Sequence, residues 1–346
     1  MRLIFSPSTA GAGTLSPSAS SRSSRRARLP RPRPRREAVG RQASRRVYVM
    51  CPPTHHSGGA ADTPHAGGAD DPAAEGTTPL RAAASAPNQP AAEDGSATRA
   101  KLTARGAAVD ADSPMDQWER LREVLLRLGH TVSLIPPRGG LPGMVFAAHA
   151  ATVVNGRVLG ARYRSMARQP ETPAYLRWFA DRGYPTRLEP VFAHEGETDL
   201  IPTGSHLLAA CGPHTEARAH AEAGEFLGLP VVPLELTHPR ITRLGSAMTV
   251  LTDQTIAYHP AAFSAGARER LARLFPERIP VGEEDTLAGG LDAICDGRTV
   301  VLTDRAPGLA AQLARHGFRT VALDMSRFAG FGVGVRSCVL ELRDNR

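Results

Sequence analysis

The chain has 346 residues, of which 41% are hydrophobic, 5% aromatic and 22% charged, a composition near the globular average. No stretch reaches the roughly 18 to 20 uninterrupted apolar residues that a membrane-spanning helix needs, which excludes an integral membrane protein of the helical kind. The net charge of +8 is concentrated at one end: residues 1–46 hold 12 Arg and a single Glu, so the rest of the chain is slightly acidic. A basic tail without interleaved aromatics gives no support to nucleic-acid binding by the folded part.

Residues 1–46 are rich in Ser, Arg and Pro and have no continuous apolar run, so they are not a secretory signal. Three readings fit: an organelle transit peptide, a disordered basic tail, or a start codon set too far upstream. The apolar run Val47 to Met50 opens the first strand, expected over 47–54. Residues 55–113 hold almost no bulky apolar side chain and are expected to be a disordered, low-complexity insertion, because they bury too little to offset their ordering entropy. His55, His56 and His65 near Asp62, Asp70 and Asp71 are not read as a metal site there. Cys51, Cys211, Cys295 and Cys338 are far apart with no CxxC pair, so neither a zinc site nor a disulfide framework is expected. Reduced thiols suit a cytoplasmic protein, with organelle import if the tail is a transit peptide.

From Met115 the remaining domain, 114–346, repeats one pattern: apolar strand, tight turn, strand, amphipathic helix, short strand. The first full copy runs from MVFAAHAATVV through Asn155-Gly156, a strong hairpin signal, to a helix in PAYLRWFADRG and a strand in TRLEPV. Later copies turn at Gly204-Ser205, Thr252-Asp253 and Asp296-Gly297, with helices in TEARAHAEAGEFLG, AGARERLARLF and GLAAQLARHG. The terminal SCVLEL pairs with RVYVM, followed by the helix of MDQWERLREVLLRLGH and the strand TVSLI, to complete a fifth unit. Five such ββαβ units predict an α/β fold arranged as a five-bladed pseudosymmetric propeller. In such a ring, loops face the axis and can build a polar site.

The stretches MDQWERLREVLLRLGHTVSLI, GLPGMVFAA, GRVLGARYR, PAYLRWF, EGETD, RAHAEAGEFLG, IAYHPAAFS, DGRTVVL and CVLELR resemble the bacterial dimethylargininases of the amidinotransferase superfamily, over 47–54 and nearly all of 115–343. The resemblance implies the pentein propeller and hydrolysis of N-methylated arginine to citrulline and an amine, with no cofactor and no metal. That chemistry calls for a thiolate to attack the guanidinium carbon, a histidine to move protons and carboxylates to hold the guanidinium.

Carried over by motif, the family's nucleophilic cysteine aligns with Ser337 and its frequent neighbour with Cys338. Alternation along a strand points Cys338 away from Ser337, so a role for Cys338 needs a bulge. The family's catalytic histidine aligns with Arg243, which cannot exchange a proton near neutrality because the pKa of arginine lies above about 12. Glu195, Glu197 and Asp199 match the acidic motif that grips the guanidinium, and His214 stands where the family has an arginine for the substrate carboxylate. Gly143 replaces an aspartate and His149 an asparagine. His220, near Glu216, reads as a helix-surface residue. The expected protein is dimethylargininase-like with hydrolysis strongly weakened or lost, acting as a pseudoenzyme or as a binder of a small guanidino compound such as arginine or methylarginine. The alternative is an active hydrolase using Cys338, with His194 or His149 supplying the proton.

Overall fold

The computed structural model of the chain describes residues 41–56, 112–329 and 333–343. Most of the basic tail expected over 1–46 and most of the insertion expected over 55–113 lie outside the described residues. Residues 41–46 are held by contacts. The Arg41 guanidinium lies over the Phe318 ring at 3.7 Å, and the Ser44 backbone N–H and hydroxyl both donate to the Asp296 carbonyl.

The first strand, β1 (Val47–Met50), is followed by α1 (Pro114–Arg127) and β2 (Thr131–Leu134). A second group contains β3 (Ala151–Val154), β4 (Arg157–Gly160), α2 (Glu171–Asp181) and β5 (Thr186–Leu188). The third contains β6 (Leu200–Pro202), β7 (Leu207–Cys211), α3 (Ala217–Leu227) and β8 (Val231–Glu235). A short helix, α4 (Leu244–Ala247), leads into β9 (Met248–Thr252), β10 (Thr255–Tyr258), α5 (Ala265–Leu274) and β11 (Glu277–Pro280). Another, α6 (Glu283–Leu287), precedes β12 (Ile294–Cys295), β13 (Thr299–Thr303), α7 (Pro307–Arg315) and β14 (Arg319–Leu323), and the last strand is β15 (Leu340–Arg343).

In each group the leading strand runs antiparallel to the second, and the second pairs parallel with the third. A parallel neighbour needs a crossover, which the helix between them supplies. The first group takes its leading strand from the far end of the chain: β15 pairs antiparallel with β1, which pairs parallel with β2. Because β15 also pairs parallel with β3, two groups merge into one six-stranded sheet, and the other nine strands form three separate three-stranded sheets.

Local chemistry accounts for these elements. Asn155 and Gly156 both have positive φ, 50° and 74°, as a two-residue type I′ hairpin requires. Helix α1 starts at a capping box in which Ser113 and Asp116 satisfy each other's backbone N–H, with Pro114 in its first turn. Its Trp118, Leu121 and Leu125 share the buried face. The short helices α4 and α6 were not anticipated; at four and five residues they are too brief to show a helical apolar period.

The core is divided among five clusters, each joining neighbouring groups. One packs α1 and β1 against Val301 and Met325, and a second packs Val49 and Leu340 against Val153 and α2. A third joins Val154 and Leu159 to Leu207 and Leu227, a fourth joins Leu208 and Leu234 to Ile256 and Leu271, and a fifth joins Ala257 and Ile279 to Val300 and Leu309. The five leading strands also border one cavity of about 650 Å³, through Val154, Ile201, Val250, Ile294 and Leu342.

Candidate active site

The residues of interest occupy equivalent places in the repeat, just before a leading strand. His149 ends a 3₁₀ turn, Ala147–His149, ahead of β3. Glu195, Glu197 and Asp199 flank or form the turn Gly196–Thr198 ahead of β6. Arg243 caps α4 ahead of β9, Asp292 lies two residues before β12, and Ser337 sits in the turn Arg336–Cys338 ahead of β15. Gly196 locks two of these turns together. It has φ +53°, and a Cβ there would lie 2.7 Å from the Ala148 carbonyl oxygen and 2.8 Å from the Ala151 nitrogen, so only glycine permits this approach.

Glu195 is the electrostatic centre. Arg243 donates to its Oε2 through Nε at 3.0 Å and pairs with it through Nη2 at 2.9 Å. His149 Nδ1 lies 3.1 Å from the same oxygen, Arg168 Nη1 lies 3.8 Å away, and His214 Nδ1 is 3.5 Å from Oε1. All five side chains are buried. Burial alone would raise the Glu195 carboxyl, but Arg243, His149, His214 and Arg168 together hold it well below its ordinary value. Arg168 is itself fixed by Glu171 and by the Gly143 carbonyl. A Cβ at Gly143 would collide with the Glu171 carboxylate, so the aspartate of the family pattern has no room there.

The other end of His149 meets Ser337: Nε2 lies 3.1 Å from Oγ. The Ser337 backbone N–H donates to Asp292 Oδ2 at 3.2 Å, and the Gly334 N–H donates to the same oxygen. Burial pushes the His149 imidazole down to about 3, with the cations of Arg243 and Arg168 adding to the effect and the bond to Glu195 opposing it. His149 is therefore neutral near pH 7.

Cys338 points elsewhere. It is fully buried in the apolar cluster with Trp118, Phe146 and Val335, its sulfur 3.8 Å from the Gly334 carbonyl. Burial, reinforced by Asp292, raises the thiol well above its ordinary value. Ser337 and Cys338 diverge, as expected, but for a different reason: they lie in a 3₁₀ turn, and the strand begins at Leu340.

The acidic motif is split. Glu197 is not brought together with Glu195; it pairs with Arg336 Nη2 at 3.1 Å and Arg343 Nη2 at 2.7 Å and accepts from the Glu341 N–H. It borders the 650 Å³ cavity, as do Arg336 and Arg343, whereas Ser337, His149, Glu195 and Arg243 do not. Asp199 stays close to Glu195. Its Oδ2 accepts from the Glu195 N–H at 3.1 Å and from Thr215 Oγ1 at 2.8 Å, while Oδ1 is buried without a hydrogen-bond partner. Burial and the Glu195 charge push its carboxyl up to about 6. His214 Nε2 also meets Thr242 Oγ1 at 3.2 Å.

His194 Nδ1 accepts from the Gly196 N–H and so shapes the acidic turn, and His220 Nε2 donates to the Ala210 carbonyl. Arg168, Glu171 and Asp292 were not singled out from sequence. Asp292 shares a signal with the others, its position ahead of a leading strand; Arg168 has none, since it reaches the site from the loop before α2. Among the described residues, no group of three or more His, Cys, Asp or Glu side chains is placed to hold a metal ion. All four cysteines are free, and no described helix is long and apolar enough to cross a membrane.

A scan against protein-family models finds no match. Individual proteins do match. The N(G),N(G)-dimethylarginine dimethylaminohydrolase of Mycobacterium tuberculosis is 45% identical over 237 residues, covering 68% of this chain and 78% of that protein. The bifunctional arginine dihydrolase/ornithine cyclodeaminase AgrE of Nostoc is 27% identical over 233 residues, covering 66% of this chain but 33% of that protein. Among solved structures, the N-terminal domain of the cyanobacterial arginine dihydrolase ArgZ bound to substrate superimposes with a TM-score of 0.68 at 22% identity, over 86% of this chain and 98% of that one. A mutant dimethylarginine dimethylaminohydrolase of Pseudomonas aeruginosa complexed with citrulline gives 0.58 at 20% identity, over 66% and 88%. These structures share the α/β pentein fold with this chain. With 45% identity across most of a characterised relative, the chain belongs to the dimethylarginine dimethylaminohydrolase family.

Proposed function

We propose that this member of the family has lost, or retains only weakly, the hydrolysis of N-methylated arginine to citrulline and an amine. The observation that carries the reading is the terminal turn, where a serine faces His149 and the nearest thiol lies in the apolar core. A thiolate is the working nucleophile of the chemistry, and burial disfavours thiolate formation at Cys338. Arg243 supports the same reading. It stands at the position implied for the proton-transferring histidine, and its guanidinium already engages the Glu195 carboxylate expected to grip the substrate's. Asp199, with one oxygen unpartnered, is the carboxylate best suited to a retained guanidino ligand, arginine or methylarginine. Loss of nucleophile and base together removes several orders of magnitude in rate.

The reading includes a ring of five blades, supported by the five core clusters that join successive groups, the last to the first among them, and by the cavity that all five leading strands border. It also includes a cytoplasmic, cofactor-independent protein. The alternative, turnover through Cys338, requires the thiol to leave its cluster. Citrulline release from dimethylarginine and arginine by the full chain decides between them. The expected result is none above the enzyme-free blank, for both the parent and Cys338→Ala; turnover by the parent that Cys338→Ala abolishes would establish the alternative.

A further inference from the structure

The 650 Å³ cavity bordered by the five leading strands has no part in the Glu195 cluster, since Ser337, His149, Glu195 and Arg243 all lie outside its lining. Its size is that of a small-molecule site, and its lining holds a chain of alternating charges. Arg46 pairs with Glu341 Oε1 at 2.9 Å, and Arg343 pairs with Glu341 Oε2 at 2.7 Å. Arg343 also pairs with Glu197 Oε1 at 2.7 Å, and Arg336 reaches the same oxygen at 3.1 Å. Three cations thus share two anions: Arg46 balances Glu341, while Arg336 and Arg343 converge on one oxygen of Glu197. The other charged residues of the lining, Arg45 and Asp253, are exposed and opposite in sign. Asp292, whose charge also reaches Arg336, lies outside the lining, and its Oδ2 is taken by the Gly334 and Ser337 N–H groups.

Donors are in surplus as well as charge. A guanidinium carries five N–H groups. Arg336 is only 5% exposed, and its Nε and Arg343 Nη1 are buried with no hydrogen-bond partner, a costly state for a polar group. Each leading strand adds an apolar residue to the same wall: Val154, Ile201, Val250, Ile294 and Leu342. From the uncompensated charge, the unpartnered donors and the apolar ring, we propose that the cavity binds a monocarboxylate with a compact apolar body. The carboxylate sits against Arg336 and Arg343 and accepts from the donors that Glu197 leaves unfilled, and the body lies along the apolar ring. One negative charge neutralises the chain, whereas a dianion leaves it in excess.

Hexanoate is the probe, added to the full chain at pH 7 and followed by calorimetry. The expected result is saturable one-to-one binding, at least about tenfold weaker for hexan-1-ol, which lacks the charge, and about tenfold weaker for butanoate, two methylene groups shorter. Inorganic phosphate, charged but without an apolar body, is expected to bind more weakly than hexanoate. Arg343→Gln removes the surplus charge and is expected to weaken hexanoate at least about tenfold. Should that variant fail to fold, the parent decides through phenylglyoxal, which modifies arginine. Hexanoate, but not hexan-1-ol, is expected to slow its reaction at Arg343, while Arg218, 74% exposed at its side chain, reacts unchanged. No binding of hexanoate, equal binding of hexan-1-ol, butanoate or phosphate, undiminished binding to Arg343→Gln, or an Arg343 left unprotected at saturating hexanoate overturns the proposal.

Discussion

Glu195→Ala is expected to destabilise the fold by about 3–5 kcal/mol, the cost of removing one partner from a buried ion pair. The carboxylate is the shared partner of Arg243, Arg168, His149 and His214, all buried. Without it, the Arg243 guanidinium keeps its desolvation cost and loses the carboxylate that accepts from its Nε and pairs with its Nη2. The loss is read from urea midpoints at pH 7. A second substitution separates the charge effect from a simple packing loss: Arg243→Met in the Glu195→Ala background removes a buried cation that has lost its bidentate carboxylate and is expected to recover part of the stability. A loss below 1 kcal/mol for Glu195→Ala, or no recovery in the double variant, would mean that water reaches and solvates the cluster.

Stability is expected to fall by an amount on the order of 3 kcal/mol between pH 6.5 and pH 4. Burial holds His149 down to about 3 and His194 down to about 4, from an ordinary value of 6.5. In that window the unfolded chain binds protons that the native chain refuses, so stability present above pH 6.5 is lost as the pH falls. Asp199 works the other way: with its carboxyl raised to about 6, the native state takes up a proton first, and this offsets part of the loss. The two histidines outweigh it. His149→Asn is expected to flatten the decline, and a parent whose urea midpoint is unchanged or higher at pH 4 would contradict the assignment.

The groups of the fold were legible because each rests on local chemistry. Asn155-Gly156 dictates its hairpin, Ser113 with Asp116 starts α1, and Gly228, at φ 71°, ends α3 with a left-handed cap. The site was legible in its inventory and much less so in its wiring. Ser337, Arg243, Glu195 and Asp199 could be named from motifs, but pleat alternation was the wrong basis for aiming Ser337 and Cys338, since three residues of 3₁₀ turn carry no period. The same brevity hid the direction of Glu197, which turns toward Arg336 and Arg343. His149 was visible only as a departure from asparagine. Its contact with Ser337 spans 188 positions, and no local pattern encodes it.

The measurement that bears most directly on the central claim is citrulline release by the double variant Arg243→His, Ser337→Cys beside the parent. If the scaffold is intact and lacks only its nucleophile and proton carrier, the parent stays at the enzyme-free blank and the double variant converts dimethylarginine to citrulline. A parent that already releases citrulline, at a rate the two substitutions leave unchanged, would show that the hydrolytic chemistry never depended on these positions.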